Sequence, residues 1–176
     1  MVWLKRVGPL AQKLVYFFLA LAMVGAAAAP ASATIQYRIS LAQPESHLFH
    51  VTMTIPSVHD SVKVQLPAWN ATYQIRDFAM RVQQVRATDE HGKTLAVRKL
   101  DTSTWHVAGS GALTVTYAVL WDEPGPFAAQ LNNSHAFMNL AMILFYVQDR
   151  RSEDIGLTIQ DVPANWKIAT PLRSGR

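Results

Sequence analysis

The chain has 176 residues, sixteen Lys and Arg against twelve Asp and Glu, and no cysteine. Without thiols there is no disulfide and no thiolate zinc site, so the fold must hold by packing alone. The sequence contains no H-E-x-x-H, no G-x-S-x-G and no glycine-rich phosphate loop, which leaves zinc-peptidase, hydrolase-elbow and nucleotide chemistry without their sequence signatures.

The chain opens Met-Val-Trp-Leu-Lys-Arg, with a third positive charge at Lys13. An uncharged run over residues 14–29 follows and ends in Ala31-Ser32-Ala33. A basic start, an apolar middle and an A-x-A site predict a helical secretory signal over residues 1–33. The run is shorter than the roughly 20 residues a spanning helix needs, and Gly25 and Pro30 weaken its end. Cleavage is therefore expected, with contact to a membrane only through this segment if it stays uncleaved. The leader holds three of the basic residues, which leaves thirteen basic against twelve acidic and a net charge of +1. No basic stripe remains for phosphate neutralisation, so nucleic acid is not an expected partner. An exported protein, periplasmic or secreted, is the expectation. The remaining 143 or so residues suit one domain with a real core.

The mature part reads as strands in chain order. Tyr37, Ile39 and Leu41 alternate with polar residues, as do Phe49, Val51, Met53 and Ile55, then Val62, Val64 and Leu66. Period two with β-branched and aromatic residues marks half-buried strands. Pro44-Glu45-Ser46 and Pro56-Ser57 are turn signals. Residues 73–82 have slight helical character, enough for a turn or two. Asp89-Glu90-His91-Gly92-Lys93 joins residues 82–88 to 94–97 as an expected hairpin. Leu113, Val115, Tyr117, Val119 and Trp121 form the longest alternation, ended by Asp122-Glu123-Pro124-Gly125-Pro126. Residues 142–147 (MILFYV) read as a strand buried on both faces, and residues 157–159 and 166–169 as short closing strands. The expected fold is an all-β sandwich of about eight to ten mostly antiparallel short strands over residues 34–172, with residues 173–176 a tail.

Chemistry-bearing residues are sparse. His47 and His50 are three apart, which on one strand puts them on opposite faces. His135 sits in a predicted loop, where a histidine is commonly a hydrogen-bonding residue. Neither a catalytic residue nor a metal ligand is expected. The loop from Leu66 to Phe78 is richer, with Trp69, Tyr73 and Phe78 around Arg76. These aromatics either line a ligand-facing rim or cap the core, and Arg76 either faces a ligand or pairs with a carboxylate such as Asp77.

At this loop a resemblance emerges. The order Leu66-Pro67-Ala68-Trp69, a short insert, Tyr73-Gln74-Ile75-Arg76-Asp77-Phe78-Ala79 and then Arg81-Val82 resembles the amino-terminal domain of the glycyl aminopeptidase family of metallopeptidases. This is peptidase family sixty-one, whose members often carry a PDZ domain. Tyr37 to Pro44, His47 to Thr54, Gly92 to Leu95 with Arg98-Lys99 and Thr104-Trp105, His135-Ala136-Phe137-Met138-Asn139 before Leu144 to Val147, and Pro163 to Thr170 look like its further landmarks. The likeness runs from about residue 35 to 172. Asn70-Ala71-Thr72 departs from the Pro-Gly-Ser type turn usual before the tyrosine. A larger departure is that the family's zinc domain, with H-E-x-x-H and a downstream glutamate, is absent from this sequence.

The resemblance implies a non-catalytic amino-terminal domain, truncated or stand-alone, that packs against a catalytic domain and helps wall a peptide cleft. Tyr73, Arg76, His135 and Asn139 are the candidates to face a substrate or partner, because a forked guanidinium suits a carboxylate and Asn suits peptide amides. The expected partners are a peptidase catalytic domain or a peptide. No cofactor is expected on this chain; zinc belongs to the catalytic domain. An exported binding module with its own peptide or protein partner is the alternative.

Overall fold

The computed structural model describes residues 34–69, 75–125 and 128–173. The expected signal helix lies outside them. The described residues form eleven strands and three short 3-10 turns, an all-β architecture. One sheet has β1 (Ile35–Ser40), β2 (Leu48–Val58), β4 (Val82–Asp89), β7 (Gly111–Leu120) and β11 (Ile155–Gln160), in the order β11-β1-β2-β7-β4. The second orders β10 (Tyr146–Val147), β3 (Ser61–Gln65), β6 (Thr104–Ala108) and β5 (Val97–Lys99). A small ribbon pairs β8 (Gln130–Leu131) with β9 (Ala136–Phe137).

The alternation read from the sequence sets the central register. Phe49, Val51, Met53 and Ile55 on β2 stand opposite Val119, Tyr117, Val115 and Leu113 on β7, and all eight are buried. A one-residue slip would turn both rows out to solvent, so the buried face fixes the pairing. Pairing is antiparallel throughout except between β1 and β11, which run parallel. The Asp89 turn is as expected: Gly92 takes a left-handed φ of 80°, and the Asp89 carboxylate accepts from the His91 and Lys93 amides. The hairpin it starts is brief. Only Thr94 bridges back to Thr88, after which β5 joins the other sheet.

Residues 142–147 correct the sequence reading. Leu140–Met142 is a 3-10 turn, and only Tyr146–Val147 is strand. Met142, Ile143, Leu144 and Phe145 are nonetheless buried. Buried peptide groups need partners: the Asn139 and Leu140 carbonyls take the Met142, Ile143 and Leu144 amides, and side chains serve the Phe145 amide and three carbonyls. The Tyr37 hydroxyl donates to Phe145 O at 2.8 Å, the Tyr117 hydroxyl to Ile143 O at 3.2 Å, and the Trp121 indole to Met142 O at 3.2 Å. The Phe145 amide donates back to the Tyr117 hydroxyl at 2.9 Å. The Phe145 ring stacks between Tyr117 of one sheet and Trp105 of the other, at 4.0 and 4.8 Å. Residues 166–169 are likewise not a strand, although Trp166 packs against the core. Residues 78–81 form a 3-10 turn, within the turn or two expected.

Burial raises both tyrosines, Tyr37 to about 12 and Tyr117 further, the latter also through its proximity to Tyr37. An acid whose pKa rises on folding weakens the fold as pH climbs past its unfolded value of about 10. Stability should thus be undiminished by these groups below pH 10 and fall between about 10 and 12 and beyond. Tyrosine absorbance titrations of the unmodified chain against Tyr37→Phe and Tyr117→Phe should show these two ionising only with the loss of circular dichroism; ionisation of either one in the folded protein near pH 10 would contradict this. Tyr117→Phe strands the Phe145 amide and the Ile143 carbonyl and should cost about 1–3 kcal/mol in urea unfolding.

Candidate functional site

The strand directions gather the chemistry-bearing loops at one end. β1, β3, β7 and β11 finish there, and β2, β4 and β6 begin there. The opposite end holds the tight connections at residues 59–60 and 109–110, joined by the Gly109 amide donating to Asp60 O at 2.8 Å.

Trp121 is the hub of the first end. Its ring meets Phe78 at 6.0 Å and lies under the Arg81 guanidinium at 4.1 Å. Arg81 also pairs with Glu123. These contacts fasten the loop after β3 to the loop after β7. The Arg76 amide donates to Ala68 O at 2.8 Å and closes the former loop on itself. Trp69, Ile75, Met80 and Phe137 expose large apolar side chains at this end, Ile75 at 87% and Met80 at 77%.

A polar chain runs beside them. Gln130 Nε2 donates to Asp122 Oδ1 at 2.9 Å, and Gln130 Oε1 meets His135 Nε2 at 3.1 Å. A carboxylate only accepts, so Asp122 fixes the amide's orientation. The amide oxygen then requires the proton on His135 Nε2. The ring's Nδ1 lies 2.9 Å from the Ser134 hydroxyl oxygen. That hydroxyl donates to Asn132 Oδ1 at 2.7 Å, which also accepts the Ser134 and His135 amides. On the far side of Asp122, His47 Nδ1 sits 2.6 Å from Leu131 O and 3.6 Å from Asp122 Oδ2. A depression of about 490 Å³ opens against this chain, lined by Pro124, Gly125, Gln130, His135 and Phe137. Among the described residues, no group of three or more His, Cys, Asp or Glu side chains is placed to hold a metal. The arrangement offers oriented donors and acceptors next to an exposed ring, which suits holding a peptide group.

Comparison with known proteins adds the decisive observation. A family model described as the Peptidase M61 N-terminal domain matches residues 36–176. The chain belongs to the M61 peptidase family. The crystal structure of an aminopeptidase N family protein from Idiomarina loihiensis is similar to this M61 domain, with a TM-score of 0.68 and 27% identity over 72% of this chain. The match spans 22% of that protein's length. No curated protein matches the chain.

The M61 domain places the sequence candidates unequally. Tyr73 lies outside the described residues. Arg76 is exposed on the loop fastened to Trp121, and His135 is exposed on the second loop. Asn139 is half-buried and starts the turn that carries Met142, its carbonyl accepting the Met142 amide at 2.9 Å. All three belong to the Trp121 end. Phe78 caps the core and Trp69 does not; one is buried, the other exposed. His47 is not on a strand with His50. It takes a left-handed φ of 59° just before β2, which turns its ring toward Leu131. Gln130, Asp122 and Arg81 were not singled out from the sequence, because their partners lie in other loops and leave no local spacing.

The amide-fixed tautomer is testable. Long-range proton–nitrogen NMR should show His135 protonated on Nε2 in its neutral form, and Gln130→Leu should abolish that preference. A neutral ring protonated on Nδ1 in the unmodified protein would refute the orientation derived above.

Proposed function

We propose that this M61 domain is an exported, non-catalytic module that packs on a peptidase catalytic domain and helps wall a peptide cleft. The observation that carries the reading is the Trp121 end. Large apolar side chains stand exposed there beside an oriented polar chain, and monomers seldom leave large apolar surface bare. On this reading Met80 and Ile75 meet the catalytic domain. Arg76, His135 and Asn139 face the cleft, with Tyr73 joining them through its place in the same loop. The guanidinium would take a peptide carboxylate, and the Asn side chain a peptide amide. Zinc and the hydrolytic step belong to the catalytic domain. The basic and apolar leader supports export to a periplasmic or extracellular setting.

A second reading is favoured by the depression at Phe137: an exported binding module that takes its own peptide or protein partner. Calorimetry of the purified chain against a separately produced M61 catalytic domain distinguishes the two. The first reading expects saturable binding that Met80→Asp weakens at least about tenfold, equivalent to about 1.4 kcal/mol. Ala96→Asp, an exposed position beside β5, should leave binding unchanged. No binding to the catalytic domain, with peptide binding lost in Phe137→Asp, would transfer the case to the second. In either case the purified chain should not release amino-terminal glycine or alanine from peptides with zinc added; chelator-sensitive turnover would refute the non-catalytic assignment.

A further inference from the structure

Sheet edges expose unpaired N–H and C=O groups, and proteins usually guard them with bulges, charges, brevity or cover. Three of the four edges of the two large sheets are guarded. β4 is bulged between Gln83 and Arg86, with Gln84 at a left-handed φ of 55°, and Thr88 is bridged by Thr94. β5 carries Arg98 and Lys99. β10 is two residues long.

β11 is neither bulged, charged nor short. Its sequence, I-G-L-T-I-Q, contains no charge and no proline, and its register with β1 is unbroken over all six residues. In a parallel ladder alternate residues aim both peptide groups at the neighbouring strand. Gln160 O accepts the Leu41 amide at 3.1 Å. Gly156, Thr158 and Gln160 therefore face β1, and Ile155, Leu157 and Ile159 turn their N–H and C=O outward. No backbone partner for those outward groups occurs among the described residues. The side chains report the same gap. Ile155 is 51% exposed, although it stands in register with Ile35, which is 2% exposed.

We propose that the outer edge of β11 is an interface between two copies of this chain, paired antiparallel about Leu157 into one continuous sheet. The strand is self-complementary in that register. Leu157 opposes Leu157 of the other copy, and Ile155 opposes Ile159. Every opposed pair consists of residues whose peptide groups already point outward, so each exchanges both hydrogen bonds. A dyad perpendicular to the sheet keeps the side-chain faces matched, and the half-exposed row of Ile155, Leu157 and Ile159 covers itself. The ends of the pairing set Glu153 near Asp161 of the other copy. Both carboxylates are engaged within their own chain, Glu153 by Arg150 and Asp161 by the Ser40 hydroxyl. A six-residue edge makes a small interface, so the association is of the transient class.

Sedimentation equilibrium on the purified chain tests the proposal. The weight-average mass should rise toward twice that of one chain through the micromolar to millimolar range. Ile155→Lys and Leu157→Pro should each hold the mass at that of one chain, with the circular dichroism unchanged. The proline removes an N–H that faces away from β1, as edge strands tolerate, and Ile155→Lys alters a residue already half in solvent. Because the chain has no cysteine, Leu157→Cys should form an inter-chain disulfide on oxidation, whereas Thr158→Cys, opposite Gly156, should not. A chain that stays monomeric at all concentrations overturns the proposal. So does a dimer that survives Ile155→Lys, or one in which Leu157→Cys fails to cross-link.

Discussion

The structure depends on how residues 142–145 are buried without a strand to bond to. An apolar segment can leave water only if its peptide groups leave with partners. The turn's own carbonyls take three of the amides, Tyr37, Tyr117 and Trp121 supply donors for the Phe145, Ile143 and Met142 carbonyls, and the Phe145 ring fills the gap between the sheets. The same three side chains thus join the layers and close the backbone account of the segment between them. In a chain without cysteine, this side-chain-to-backbone lattice is the cross-link between one sheet and the other.

The Trp121 end follows from that arrangement. Trp121 donates inward to Met142 and at the same time presents its ring to Phe78 and Arg81. The loops that carry Arg76 and His135 are consequently held by the residue that helps hold the core. The polar chain from Asp122 through Gln130 to His135 begins one residue past Trp121, so its geometry inherits the rigidity of the β7 terminus. Side chains aimed at a partner are better placed on such a mount than on free loops.

Much of the fold was legible in the sequence because its dominant signal is local. The rows of β2 and β7 are written as plain alternation, and the Asp89 turn carries its own residue chemistry. Residues 142–147 were misread because an unbroken apolar run reports burial and says nothing about what bonds the backbone. The parallel pairing of β1 with β11 was equally hidden, since it joins opposite ends of the domain and has no connecting signal. At the site, His135 could be placed in a loop and Arg76 in an aromatic stretch. Their setting could not be read, because Gln130, Asp122 and Trp121 act through bonds to other loops. Family resemblance, carried by short motifs in order, supplied what periodicity could not.

The side-chain donors to residues 142–145 also impose an order on folding. Tyr37 must reach a carbonyl 108 residues further along the chain. Contacts of such separation form late, because the loops they close must be ordered first. Until β1 and β7 have both paired with β2, the Met142–Phe145 stretch has no acceptable interior to enter and remains a sticky apolar strip. Its docking is a late step of assembly, and the chain is most vulnerable to aggregation just before it occurs.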